Sequence, residues 1–216
     1  MPQTSDKARQ EGRASCATEG KVSTIAMTRA SNLLPELPAG LQLSRLPDRP
    51  DAAHAAARAF CLEVIREFYG FEYREDWHAD LDSLRLPAAE NQFSTANRGA
   101  FWTLTAADGA IVATTGIKRL TWQPKIVAAL ADRYPHPERI ATLVRAYVRK
   151  DQRGRGLGRW LNHLCEAEAR RLGFADLYLH ASSDAPATIG FWKANGYTDI
   201  GEFGFSTHFD KRLAAP

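Results

Sequence analysis

Apolar and polar positions alternate along the chain with periods that predict a succession of strands and helices. Residues 51–68 carry apolar side chains at helical spacing and Asp51 is a plausible N-cap, so an amphipathic helix is predicted there. Two strands, residues 101–106 and 110–122, are joined by Asp108-Gly109, a pair typical of hairpin turns. The other predicted strands span residues 41–46, 143–148, 177–182, 199–205 and 207–213, and the other helical segments lie within residues 77–84, 124–139, 157–172 and 187–194.

The order of these elements predicts an α/β protein. A mixed, twisted central sheet flanked by helices on both faces accommodates them, and residues 39–216 would form this single domain. In such sheets, ligands bind at the carboxyl end of a central strand, here after residues 143–148. Residues 1–38 show no sustained period of 2 or 3.6 and are rich in Ser, Thr, Ala, Gln and charge, so a disordered tail is predicted.

Composition narrows the class of protein. The chain has 216 residues, 44% of them hydrophobic, which suits one globular domain. Its net charge of +3 is too small to indicate nucleic-acid binding, and no apolar stretch is long enough to span a membrane or form a signal peptide. Cys16, Cys61 and Cys165 are odd in number and widely spaced, which favours neither a disulfide framework nor a zinc site. A cytoplasmic protein without nucleic-acid or membrane partners is expected.

A glycine-rich loop carries the most specific chemical signal. Residues 153–158, Arg-Gly-Arg-Gly-Leu-Gly, lie between a predicted strand and a predicted helix. Glycines allow a tight turn and close approach to a ligand, and the free N–H groups of a helix start favour an anion. The spacing matches neither the dinucleotide nor the nucleoside-triphosphate fingerprint. Several basic residues surround the loop and would face a phosphorylated ligand, although a solvated helix start is the alternative: Arg145, Arg149, Lys150, Arg153, Arg155 and Arg159.

Two motifs resemble those of a known family. The pattern Arg-x-x-Gly-x-Gly, after a strand and opening a helix, resembles the acyl-CoA signature of the GCN5-related N-acetyltransferases (GNAT). Residues 186–197, Pro-Ala-Thr-Ile-Gly-Phe-Trp-Lys-Ala-Asn-Gly-Tyr, are similar to the family's second signature, with Trp192 and Tyr197 in its aromatic positions. The resemblance covers about residues 41–213 and is specific at about 139–200. It implies an acyl-CoA N-acyltransferase-like fold, acetyl-CoA as co-substrate and no metal.

The resemblance also implies roles for individual residues. Ala146, Tyr147 and Val148 would pair with the pantetheine arm, and Trp192 would lie on the CoA side of the site. The pyrophosphate would be held by Arg153, Gly154, Arg155, Gly156, Leu157, Gly158 and Arg159. The family reaction is direct attack of an amine on the thioester, so no nucleophilic triad is required.

The catalytic residues of the family are not all present. The position that often holds a catalytic Glu in the family aligns with Thr142, and the position that often holds a Tyr general acid aligns with Trp192. His180 is the first substitute for the base, because its ordinary pKa suits proton transfer at neutral pH, and Glu138 is the second. A structural, hydrogen-bonded His180 is the alternative. Tyr197 would replace the acid only if its hydroxyl pointed inward, and a core position is favoured.

The acceptor side lies in the part of the chain that resembles the family least. Trp77, His78, Asp80 and Asp82 form an acidic, aromatic patch whose carboxylates would attract a cationic amine, unless they belong to a solvated surface helix. The acceptor would be an amine of a small molecule, amino acid or peptide, and the protein a monomer or homodimer. A non-catalytic CoA-binding or sensor module is the alternative function, given the missing Glu and Tyr.

Overall fold

The computed structural model describes residues 35–214. Their strands form one mixed sheet in the order β1-β2-β3-β4-β5-β7-β6, in which only β4 and β5 pair in parallel. The strands are β1 (Leu41–Arg45), β2 (Ala100–Ala106), β3 (Ile111–Arg119), β4 (Ile140–Val148), β5 (Asp176–Ser182), β6 (Thr198–Phe203) and β7 (Ser206–Arg212). The α-helices are α1 (Ala52–Tyr69), α2 (Glu75–Ser83), α3 (Pro124–Ala129), α4 (Leu157–Arg171) and α5 (Pro186–Ala194).

Local sequence rules account for the well-predicted elements. The side chain of Asp51 accepts a hydrogen bond from the Ala53 N–H at 2.9 Å, while Nδ1 of His54 accepts one from the Asp51 N–H, which closes a capping box at the start of α1. The β2–β3 hairpin turns at Asp108-Gly109, where Gly109 has a φ of +82°. The predicted N-cap and the predicted hairpin are therefore confirmed.

Two predicted boundaries were wrong near the insertion between β3 and β4. The strand predicted for residues 110–122 ends at Arg119, because Leu120 turns inward as part of a 3₁₀ turn and is fully buried beside Tyr134 and Tyr178. Strand β4 begins three residues earlier than predicted, at Ile140, since its first residues pair with the start of β5. The insertion contains only the short helix α3 and a 3₁₀ turn, Pro137–Arg139.

Helices cover both faces of the sheet, as predicted. On one face, Trp102 and Leu104 of β2 pack with Leu161 and its neighbours on α4. On the other, Phe101 packs with Cys61 of α1 and with residues of α2. Because side chains alternate along a strand, β2 contributes to both cores. Within the described residues, no helix is long and apolar enough to cross a membrane.

The predicted disordered tail, residues 1–38, falls largely outside the described residues. Residues 35–38 are described and form no helix or strand. Leu37 packs against the core of the α4 face, and the indole N–H of Trp160 donates to the carbonyl of Pro35 at 2.7 Å. A truncation that tests the tail should therefore end before Pro35.

Candidate active site

The two parallel strands separate halfway along their length. Strand β4 pairs with β5 only from Ile140 to Thr142, and beyond that point the strands are not bonded to each other. On its other edge β4 contains a β-bulge, because the step from Val144 to Tyr147 lies opposite only the step from Gly116 to Thr114. Arg145, inside the bulge, has a φ of +55°. The separation leaves strand edges available to an extended ligand.

A cavity of about 860 Å³ occupies the space where β4 and β5 separate. It brings together four residues predicted for CoA binding or catalysis: Ala146, Tyr147, His180 and Trp192. Trp77, His78 and Asp80 of the predicted acceptor patch also line it, whereas Val148 and residues 153–159 do not. Its remaining walls come from the region between α1 and α2, from the insertion and from the hairpin between β6 and β7. The volume suits a small molecule rather than a single water or ion.

The glycine-rich loop follows β4 after one 3₁₀ turn, Lys150–Gln152, and leads into the start of α4. Gly154 and Gly156 have φ values of +76° and +81°, and Gly156 is the N-cap of the helix. The backbone N–H groups of residues 154–159 make no hydrogen bond to any residue within 35–214. Leu157 is buried and anchors the helix start, whereas residues 153–156 are exposed. Six consecutive free amides at a helix N-terminus are an arrangement that binds an anion such as a pyrophosphate.

The basic residues near the loop differ in what they contact. The Arg153 guanidinium donates from Nε to the Val148 carbonyl at 3.0 Å and lies 5.5 Å from the ring centroid of Phe68, so it ties the loop to the end of β4. Arg149 forms a bidentate pair with Asp151. Arg155 and Arg159 are exposed.

The expectation that Arg145 belongs to the loop cluster is wrong. Its side chain, 13% exposed, reaches Asp80 on α2, where Nε and Nη2 donate to the two carboxylate oxygens at 2.9 and 2.5 Å. Nη2 also donates to the Trp77 carbonyl at 2.8 Å, and Nη1 to the Tyr147 hydroxyl at 3.3 Å. The bulge therefore directs Arg145 across the sheet to α2, which fixes α2 against β4.

The carboxylates of Asp80 and Asp82 in the predicted acidic patch are bound by cationic side chains. Burial raises the pKa of Asp80, but the charges of Arg145 and Lys118 outweigh it and hold that pKa well below its usual range. Asp82 is bound by Arg58 at 2.8 Å and by the Tyr73 hydroxyl at 2.5 Å. Neither carboxylate is free to attract an amine, because arginines bind both. The alternative, a surface helix with solvated acids, is wrong for Asp80, which is buried, whereas Asp82 stays partly exposed.

His180 faces the cavity from the end of β5. Among the described residues its ring makes no hydrogen bond, so no bonding partner supports the structural alternative. Although water reaches the ring, the walls of the cavity desolvate it and lower its pKa to about 4, with the charges of His208, Arg145 and Lys118 acting in the same direction. His180 is therefore uncharged at neutral pH.

His208 lies beside His180, because the two residues are paired in register on β5 and β7. Their ring centroids are 5.6 Å apart. Nε2 of His208 is 3.2 Å from the Phe203 carbonyl, which can only accept, so this nitrogen carries the proton and Nδ1 accepts from the Tyr178 hydroxyl at 2.5 Å. These two contacts fix the orientation of the His208 ring, and burial lowers the pKa of His208.

The other catalytic candidates lie in different places. Glu138 is exposed in the 3₁₀ turn before β4, paired with His136 at 3.6 Å, and is not part of the cavity wall. It precedes Val144 by six residues, which is roughly 20 Å along a strand. The structure does not bring it to the reacting centre. Thr142, in the slot of the family's Glu, is fully buried.

The aromatic positions of the second motif are both buried. Trp192 lines the cavity and packs edge-on against Tyr197, with 5.4 Å between the ring centroids. The Tyr197 hydroxyl donates to the Asn162 side chain at 2.8 Å within the core, so it does not reach the cavity. Neither residue offers an acidic hydroxyl to a leaving group.

Sequence reasoning missed Lys118. This residue lies on β3, is only 4% exposed, and lines the cavity. Burial lowers its pKa to about 8, while the Asp80 carboxylate opposes that change. The signal was a lysine near the end of a strand whose earlier residues are apolar, glycine or threonine. Lysines are almost never fully buried unless they are paired, so its burial could not be read from that pattern.

The separated strands, the amide-lined loop and the mixed seven-stranded sheet define an acyl-CoA N-acyltransferase-like fold. Residues 62–197, more than half of the chain, match the model of the acetyltransferase (GNAT) family. The chain therefore belongs to this family, and the family resemblance seen in its two motifs is confirmed. No curated protein sequence is significantly similar to it.

Solved structures show the same fold at low identity. A GNAT acetyltransferase from Staphylococcus aureus matches with a TM-score of 0.60 and 15% identity, over 80% of this chain and 100% of its own. The PaiA N-acetyltransferase from Thermoplasma acidophilum, in complex with coenzyme A, gives 0.59 and 14%, over 80% and 98%. A chimera of the Vibrio cholerae spermidine N-acetyltransferase SpeG and hSSAT gives 0.53 and 15%, over 81% and 96%.

Proposed function

We propose that this protein is a cytoplasmic N-acetyltransferase, which moves the acetyl group of acetyl-CoA to an amine of a small molecule, amino acid or peptide. Two features next to the end of β4 carry the proposal: the cavity where β4 and β5 separate, and the row of free amides at the start of α4, the helix that follows β4 in the chain. An extended thioester bound at one end by its pyrophosphate would pass its arm between the strands. The coenzyme A complex of the PaiA neighbour is consistent with this proposal.

Each part of acetyl-CoA has a place in this arrangement. The amides of residues 154–159 would hold the pyrophosphate, with Arg155 and Arg159 adding exposed positive charge. The pantetheine arm would pair with β4 at Ala146, Tyr147 and Val148 as an added strand. Arg153 would keep the loop in position relative to the end of β4, through its bond to the Val148 carbonyl. Trp192 would pack against the thioester end of the arm.

The reaction requires one proton acceptor. The amine nitrogen attacks the thioester carbonyl carbon, the carbon–sulfur bond breaks, and the amine proton passes to His180 directly or through water. His180 is uncharged at neutral pH and is therefore able to accept it. The coenzyme leaves as a thiolate, since Trp192 has no acidic hydroxyl, and a thiol with a pKa of about 8.5 is an adequate leaving group.

A second function, a CoA-binding or sensor module without catalysis, is favoured by two observations. The position of the family's Glu is a buried Thr142, and the position of its Tyr acid is Trp192. Such a module would bind CoA tightly and turn over no amine. The proposed enzyme would do both.

The deciding experiment combines a binding and a turnover measurement on the same preparation. Calorimetry measures the affinity for CoA, and a free-thiol assay measures acetyl transfer to a panel of amino acids, peptides and polyamines. Binding with amine-dependent thiol release supports the enzyme. Binding without release from any amine supports the sensor, and absence of CoA binding refutes both.

A further inference from the structure

Lys118 is a buried ammonium group with unused hydrogen-bond donors. Its Nζ donates to the Gln92 side chain at 2.7 Å and lies 3.9 Å from the nearer Asp80 oxygen, which is too far for a hydrogen bond. An ammonium group has three N–H donors, so two of them have no partner among the described residues. Buried donors of this kind are normally satisfied, because leaving one unpaired is destabilising. Lys118 faces the cavity, where a bound molecule can reach it.

The charges around the cavity favour an anion over a cation. Two carboxylates line it, and that of Asp80 is already bound by Arg145 on both oxygens. The other, Asp76, is on the exposed surface 3.9 Å from Arg74. Because the Arg145–Asp80 pair cancels, the positive charges of Lys118 and Lys125 remain against the single negative charge of Asp76. A polycation entering this cavity would meet no buried, unpaired carboxylate in the part of the chain that the structure describes.

We propose that Lys118 binds a carboxylate of the acceptor, so that the substrate is an amine that also carries an acidic group, as an amino acid does. The inference rests on the proposed acetyl transfer and makes it more specific. It separates this chain from a polyamine acetyltransferase, although a spermidine enzyme shares its fold. Tyr69, Phe71 and Trp77 line the same cavity and provide an apolar wall for the rest of the molecule.

The first test uses the unaltered protein and pairs of acceptors that share a side chain and carry either the acid or its amide. Each kcat/KM is divided by the fraction of neutral amine, because the amine of the amide has a lower pKa than that of the acid. Phenylalanine and leucine are compared with their amides, and spermidine is included as the polycation. The acids are expected to have a kcat/KM at least about tenfold higher than the amides, since a hydrogen bond to a charged group contributes about 1.5–3 kcal/mol. An equal or higher kcat/KM for the amides, or for spermidine, overturns the inference.

The second test removes the charge with Lys118→Met, which keeps the length and most of the volume of the side chain. We expect the acid-to-amide ratio to fall to about one, through a higher KM for the acids and little change in kcat. Lys193→Met, on the exposed side of α5 and outside the cavity wall, is the matched control and should keep the ratio of the unaltered protein. A lower kcat with both kinds of acceptor would assign Lys118 to proton transfer and overturn the inference.

A binding measurement covers the case in which turnover is slow or Lys118→Met is unstable. N-acetylphenylalanine and its amide contain no titrating amine, and calorimetry compares their affinities for the CoA-bound, unaltered protein. Tighter binding of the acid by about tenfold or more supports the inference, while equal affinities or no binding of either overturn it. Because acetyl transfer to amides would still be observed if only this inference failed, its failure is distinguishable from failure of the proposed function.

Discussion

Substitution of Gly156 tests whether the free amides of the loop are the anion site. Gly156 and Gly109 have nearly the same φ, +81° and +82°, and a Cβ added at either position would meet no atom within 4 Å. A valine at either position therefore costs mainly the left-handed backbone strain, about 1–2 kcal/mol. Gly109 lies in the β2–β3 hairpin and is not part of the loop. It is a matched control for the strain.

Only the Gly156→Val variant should lose affinity for CoA. The new side chain would stand among the amides of residues 154–159, where a phosphate oxygen would lie, and the loop would leave its conformation to relieve the strain. Loss of two charge-assisted hydrogen bonds, each of about 1.5 kcal/mol or more, weakens binding by more than about 100-fold. Calorimetry measures the affinity, and denaturant unfolding measures the stability of both variants. Unchanged CoA binding in Gly156→Val, or an equal loss in Gly109→Val, would refute the site assignment.

Three further predictions follow from the fold and the cavity. Removal of residues 1–34 should leave the melting temperature and acetyl transfer nearly unchanged, and a loss of several degrees would contradict the predicted independence of the tail. His180→Ala should lower kcat by about 10²–10⁴-fold with little change in CoA affinity, whereas a drop below about fivefold would remove His180 from the chemistry. Asp80→Ala should destabilise the fold by about 3–5 kcal/mol because Arg145 is left buried and unpaired, and chemical denaturation would show it. The pKa of Asp80 is lower in the folded than in the unfolded protein. The ionised carboxylate therefore contributes its full share to the free energy of unfolding above about pH 4, and this share is lost as the pH falls further.

The predictable parts of this protein follow local rules, and the missed parts depend on distant contacts. The capped start of α1, the hairpin at Gly109 and the loop before α4 are specified by neighbouring residues, so their patterns were sufficient. The Arg145–Asp80 pair joins residues 65 positions apart through a bulge with an unusual backbone conformation, and no periodicity indicates such a contact. For the same reason, sequence could place Lys118 on a strand but could not show that its charge is buried beside Asp80.

The cations that would select the acceptor also lower the pKa of the proposed base, His180. Acceptor selection and proton transfer are therefore coupled. His180 has its pKa lowered by its surroundings, and the charges of Arg145 and Lys118 contribute to that lowering. A carboxylate bound at Lys118 would add a negative charge close to these cations. Like the carboxylate of Asp80, it would oppose their effect and raise the pKa of His180 toward the range useful for catalysis. The pH profile of kcat/KM reports the free protein, and we expect the limb that His180 contributes to lie near pH 4 instead of at 6–7, where an unperturbed histidine would place it.

The pH profile of kcat reports the complex with substrate. When the acceptor is an acid, the limb of this profile should therefore lie at a higher pH than the limb of kcat/KM. With an amide acceptor the added negative charge is missing, and the two limbs should coincide. Rate profiles from about pH 3 to 8 with phenylalanine and its amide, which sample both sides of a limb near pH 4, measure both cases on one preparation. A kcat limb for the acid at or below that of kcat/KM would show that His180 and the acceptor's acidic group do not interact. Substrate selection and proton transfer would then be separate properties of the cavity.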